Sequence, residues 1–220
     1  MKVLVVGASR GSGAAVVSAL VEQGHLVTAF ARTTGEVPEG VRVVTGDVFD
    51  RDALAKAMIG QDAVIVTLGI SDNPFGVRML RRAKTPLDVR SAGTARVVEA
   101  MRANDIRRLV VQSTYGLGSA FANLSTFYKL FFRLVLAPQI ADTERQEELT
   151  RNSGLDWTLI RPVALHDGEE TVPAHVDLRD GIAAEKVSRS QVGRVNADAV
   201  ARPDWIGATV SVSRERHHTA

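Results

Sequence analysis

Gly7, Gly11 and Gly13 stand in the string Gly-Ala-Ser-Arg-Gly-Ser-Gly, which joins the apolar run Val3–Val6 to a segment of helical period. Strand, glycine turn and helix in that order can hold the diphosphate of a dinucleotide. The first glycine permits a sharp exit from the strand. The second lets backbone amides approach the phosphates, and the third lets the helix pack closely on the sheet. The amides and dipole at the helix start then stabilise the negative charge. Gly7, Ser9, Arg10, Gly11, Ser12 and Gly13 are therefore the expected contacts. Glycine spacing alone favours an ordinary turn; the flanking strand and helix and the position at the N-terminus reverse that preference toward the phosphate site.

A carboxylate about twenty residues further on, at the end of the second strand, would bind the ribose 2′-hydroxyl of NAD. This chain has Ala31 and Arg32 there. A guanidinium suits the 2′-phosphate of NADP through paired charge-assisted hydrogen bonds, and Arg10 adds a second positive charge. NADP(H) is the expected cofactor. A solvated strand-end arginine is the competing reading of Arg32.

Such a turn needs parallel strands alternating with helices, and the sequence supplies that alternation. Strands are predicted at Lys2–Val6, Leu26–Ala31, Val41–Thr45, Ala63–Thr67, Arg108–Gln112, Thr158–Arg161 and Ala208–Val212. Most lack polar alternation, as strands covered on both faces do. Helices are predicted at Gly11–Gln23, Arg51–Met58, Thr85–Asn104, Ile140–Ser153 and Ser188–Ala201, with Ser188 as an N-cap. The expected fold is α/β, a doubly wound parallel sheet of Rossmann-like type in a single domain over residues 1–220. The chain's 220 residues and 45% hydrophobic content suit one domain.

With no cysteine, the chain has no disulfide, thiol nucleophile or thiolate metal site. The five histidines show no metal-ligand spacing, so no metal is expected. The net charge of +2 is spread along the chain, which disfavours nucleic acid as a partner. The densest basic group, Arg78, Arg81, Arg82 and Lys84, reads as a solvated loop, with contact to an anionic ligand as the alternative. Val3–Val6 is too short for a membrane span or signal segment, so a cytoplasmic location without membrane association is expected.

The turn GASRGSG, Arg32, GDVFD at Gly46–Asp50 and GQDAVIVTLG at Gly60–Gly69 together resemble the atypical short-chain dehydrogenase/reductase superfamily. Within it the chain is similar to the NmrA-like NAD(P)-binding group that includes biliverdin reductase B and NAD(P)H-flavin reductases. The similarity continues through Ser113 and SGLDWTLIRP at Ser153–Pro162 to about residue 212. It implies that Asp47 and Val48 lie beside the adenine, and that Leu68 and Gly69 line the diphosphate and nicotinamide ribose. Ser113, Pro162 and Val163 would border the nicotinamide. For Asp47, a turn or helix cap is the competing role. Elements around 114–137 and 162–190 would form the substrate side.

Typical short-chain dehydrogenases transfer a proton through a Tyr-x-x-x-Lys pair. Here Tyr115 is followed four residues on by Ser119, and Tyr128 by Phe132, so that relay is absent. A planar conjugated acceptor such as a flavin or linear tetrapyrrole accepts hydride without it and takes its proton from solvent. The expected activity is NADPH-dependent reduction of such a small molecule, with Ser113 and Tyr115 as the candidate catalytic residues. For Ser113, strand-end capping is the alternative. A non-catalytic NADP(H)-sensing regulator remains open, and an epimerase or isomerase is disfavoured by the missing relay. His166 is a further candidate for the site, and Glu144, Glu147 and Glu148 read as an exposed helix face. Six of the eleven aromatic residues fall between Tyr115 and Phe132. The apolar stripe Phe127, Phe131, Leu134 and Val135 predicts a helix that serves as a lid, a packing element or a membrane-surface contact.

Overall fold

The computed structural model describes residues 1–33, 35–69, 86–117, 137–168 and 170–215. The aromatic stretch beyond Leu117, with its predicted helix, and the Arg78–Lys84 group lie outside them. Strands β1 (Lys2–Val6), β2 (Leu26–Ala31), β3 (Arg42–Thr45), β4 (Ala63–Val66), β5 (Arg108–Gln112) and β6 (Asp156–Pro162) follow the predicted runs. Three short strands were not legible: β7 (Ala164–His166), β8 (Ala174–Asp177) and β9 (Lys186–Ser188). Each has only three or four residues, and β8 carries His175 and Asp177, so no hydrophobic run marks them. β10 (Ala208–Arg214) closes the series.

The helices are α1 (Gly11–Glu22), α2 (Arg51–Met58), α3 (Val89–Ala103), α4 (Ala137–Arg151) and α5 (Arg189–Val200). α3 begins later than the predicted Thr85, because Pro86 opens a turn whose carbonyl accepts the Val89 amide. Asp50 caps α2 through the amides of Asp52 and Ala53. Ser188 and Gln191 cap α5 reciprocally.

The eight-stranded sheet has the order β3-β2-β1-β4-β5-β6-β10-β8, all parallel except β8 against β10; β7 and β9 pair separately. Along each central strand, alternate residues enter two cores. Val3, Val5, Ile65, Val110 and Ile160 pack with Val16 and Leu20 of α1 and Val192 of α5. Leu4, Val6, Val64, Leu109 and Leu159 pack with Leu54 and Met58 of α2 and Val97 and Met101 of α3. Both faces are apolar because both are covered. Burial contributes roughly 1.5–3 kcal/mol for each large side chain. The result is one doubly wound Rossmann-like domain.

Candidate functional site

The strand order reverses between β1 and β4, and such a switch point opens a crevice beyond the strands' carboxyl ends. A cavity of about 820 Å³ occupies it. Gly7, Ser9, Arg10, Gly11, Ser12 and Gly13 line it from the turn after β1. Arg32 lines it beyond β2, Asp47 and Val48 beyond β3, and Leu68 and Gly69 beyond β4. Ser113, Tyr115, Pro162, Val163 and His166 are not among its described lining residues.

The turn is shaped by the close approach of β1 and β4. Gly7 has φ +93°, and a Cβ there would lie 3.0 Å from the carbonyl carbon and oxygen of Thr67. A Cβ on Gly13 would collide with the Gly7 carbonyl oxygen and stand 2.8 Å from Thr67 Oγ1. Any side chain at either position would push the helix off the sheet and fill the space above the turn. α1 starts without a side-chain cap and with no acidic residue in its first turn. By contrast, the first-turn amides of α2, α3 and α5 receive Asp50, Asp142 and Ser188. α1 therefore presents open amides and a positive dipole end to the cavity.

Among the described lining residues are four arginines, Arg10, Arg32, Arg90 and Arg189, against two aspartates, Asp47 and Asp167. The surplus suits an anionic ligand. Asp47 lines the cavity and also makes a local turn, its Oδ1 accepting the Phe49 amide at 3.0 Å. Asp167 pairs with Arg189 at 2.7 Å. The glycine cradle, open amides and cationic lining fit a dinucleotide's phosphates.

Outside the cavity's described lining, Ser113 and Tyr115 join one buried network. Ser113 Oγ donates to Glu147 Oε1 at 2.6 Å. Arg161 grips the same carboxylate through Nε at 2.8 Å and Nη2 at 2.6 Å, and Arg151 donates to it at 2.8 Å. Arg161 also reaches Asp180 Oδ1 at 3.3 Å, and the Tyr115 hydroxyl donates to the Asp180 carbonyl at 2.9 Å. Burial pushes the Glu147 carboxyl upward, but the hydrogen bonds and charge of Arg161, with Ser113 and Arg151, hold it below its ordinary range. Glu144 and Glu148 are exposed as expected, whereas Glu147 is buried. The expectation of a uniformly solvated acidic face is thus corrected at Glu147. α4 buries a polar face, including Asp142, Thr143, Gln146 and Thr150, which apolar periodicity does not reveal. Arg161, charged within the apolar run Leu159–Pro162, was the available signal for a buried carboxylate partner.

His166 stands 3.5 Å from Glu170. Gln112, Thr67, Arg90 and Arg189 line the cavity without having been picked out in the sequence; no motif distinguishes them from ordinary strand-end and helix-start residues. Among the described residues no helix is long and apolar enough to cross a membrane.

The chain matches the NAD(P)H-binding family over residues 7–203. It is 39% identical over 119 residues to the 3-diazoavenalumate denitrifying reductase of a Streptomyces species. That alignment covers 51% of this chain and 38% of the reductase, so the chain spans well under half of its relative's length. A Rossmann-fold NAD(P)-binding family protein from Shigella flexneri superposes with a TM-score of 0.70 at 25% identity, covering 97% of this chain and 93% of that one. ChuY, an anaerobillin reductase from Escherichia coli O157:H7, superposes with a TM-score of 0.73 at 22% identity over 100% of both chains, a likeness of fold.

Proposed function

We propose that this chain, which belongs to the NAD(P)H-binding family, is an NADPH-dependent reductase of a small planar conjugated acceptor such as a flavin or a linear tetrapyrrole. The observation that carries the reading is the uncapped start of α1 within the glycine cradle at the switch point. There the amides of Gly11, Ser12 and Gly13, with Arg10, hold the diphosphate, and Arg32 holds the 2′-phosphate. Asp47 and Val48 flank the adenine, and Leu68 and Gly69 line the diphosphate and the nicotinamide ribose. When bound, NADPH supplies the hydride. The protein supplies proximity and orientation, an effect worth several kcal/mol.

Ser113, Pro162 and Val163 border the nicotinamide end from outside the cavity's described lining. In this reading Ser113 and Tyr115 position the strand ends there and transfer no proton. The Tyr115 hydroxyl is engaged by the Asp180 carbonyl and has no lysine four residues on, which supports an acceptor that takes its proton from solvent. The described residues 114–117, 162–168 and 170–190 form the acceptor side. Two similar proteins named as reductases, of 3-diazoavenalumate and of anaerobillin, fit the same class of chemistry.

The test is NADPH oxidation followed with FMN, FAD, biliverdin and a quinone in turn. Turnover with at least one planar acceptor is expected. Tight NADPH binding with no turnover of any of them would replace the enzyme by a coenzyme-sensing regulator.

A further inference from the structure

Arg90, in the first turn of α3, differs from the other cations packed into this domain. Its backbone amide donates to Asp142 Oδ2 at 3.0 Å, while the Ser91 amide and hydroxyl donate to Asp142 Oδ1 at 3.2 and 2.5 Å. The buried Asp142 carboxylate is thereby bound to the helix start. The guanidinium is left to the cavity that it lines. It passes beside Gly69, with Nη2 3.4 Å from the position a Cβ on that glycine would take. Its Nε is buried without a hydrogen-bond partner, and among the described residues the guanidinium makes no ion pair. Arg108 also leaves its Nε unpartnered but donates its Nη groups to the Asp156 carbonyl, the Thr158 hydroxyl and the Ala199 carbonyl, Arg161 is held by Glu147, and Arg189 is paired with Asp167.

Burial lowers the Arg90 pKa from its ordinary value, with the charge of Asp142 opposing, yet a guanidinium remains charged in a protein. A charge held in a half-buried wall without a direct ion pair or hydrogen-bond acceptor on its Nε opposes folding. Its planar fork matches the paired oxygens of a phosphate or carboxylate.

We infer that Arg90 is an anion-binding residue of this cavity, receiving a phosphate or carboxylate group of the bound ligand on its guanidinium fork. The inference rests on the cavity being the coenzyme and acceptor site. Two sources offer that chemistry: the coenzyme's diphosphate and an acid group on the acceptor.

The experiment compares native protein with Arg90→Met, which keeps the apolar stem, and Arg90→Lys, which keeps the charge without the fork. Binding of inorganic pyrophosphate and of NADPH is measured by calorimetry. Binding of FMN and of riboflavin, which differ by one phosphate, is measured on the NADP⁺-loaded protein. If the diphosphate is the partner, Arg90→Met weakens NADPH and pyrophosphate by roughly ten- to a hundredfold, and Arg90→Lys recovers part of the loss. If the acceptor supplies the anion, NADPH affinity is kept and the preference for FMN over riboflavin is lost. In either case the melting temperature of Arg90→Met stays at the native value or rises. Native-like binding of pyrophosphate, NADPH and FMN in Arg90→Met, or failure of the native protein to bind any of them, would overturn the inference. A native protein that binds pyrophosphate through Arg90 but not NADPH would instead refute the coenzyme reading and leave Arg90 standing. Binding of NADPH through Arg90 without turnover would refute only the reductase.

Discussion

Replacing Glu147 by alanine removes the anion at the centre of the buried network, where it accepts from Ser113, Arg151 and both Nε and Nη2 of Arg161. The side chains of Glu147 and Arg161 are 3% and 7% exposed, so water cannot replace the lost partner. Removing one member of such a pair costs about 3–5 kcal/mol, chiefly because the buried Arg161 charge is left with only its 3.3 Å contact to Asp180. In a chain of this size each kcal/mol shifts the melting temperature by roughly 2–4 °C, so a fall of roughly 6–20 °C is expected. The double variant Glu147→Met, Arg161→Met removes both charges and should lose much less than the sum of the single changes. Thermal and urea unfolding of Glu147→Met, Arg161→Met and the double variant form the cycle. The same carboxylate sets a pH dependence. Because its folded-state pKa lies below the ordinary value of 4.5, its contribution is complete above that pH and is lost as pH falls through the folded value. Glu147→Ala should therefore show a flatter loss of stability below pH 4.5 than the native protein. A single variant within 1 kcal/mol of native, or strictly additive single and double changes, would refute the assignment of stability to this pair.

Gly13→Ala drives a Cβ into the Gly7 carbonyl and Thr67 Oγ1; NADPH affinity measured by calorimetry should fall at least about tenfold, with a lower melting temperature. Arg32→Asp should reverse the coenzyme preference in favour of NADH, since the charge-assisted contact it removes is worth roughly 1.5–3 kcal/mol; unchanged ratios of the two dissociation constants would sink the role of Arg32. Tyr115→Phe removes the hydroxyl that donates to Asp180; about 1 kcal/mol of stability should go with it, while acceptor turnover stays within about tenfold of native. A thousandfold loss of turnover would make Tyr115 a proton donor after all.

The elements that build the cavity were legible because their signals are local. Uninterrupted apolar runs mark β1, β4 and β5, Gly7 and Gly13 mark the turn, and Ser188 stands where a cap belongs. The short strands β7, β8 and β9 were not, since three or four residues at a domain's edge carry no period. The polar side of α4 was hidden for a different reason. Glu144, Glu147 and Glu148 are chemically alike in the sequence, and only contact with Arg161 and Ser113 separates the buried one from its exposed neighbours. Ser113 and Tyr115 were singled out as hydroxyls at a strand end. Which groups their protons meet is decided by α4 and by Asp180, far away in the chain.

The claim that the start of α1 and Arg32 form an NADPH site is tested most directly by titrating the native protein with NADPH and with NADH in a calorimeter at one ionic strength. One site per chain is expected, with NADPH bound roughly ten- to a hundredfold more tightly than NADH. Equal affinities, a preference for NADH, or no binding of either coenzyme would contradict it.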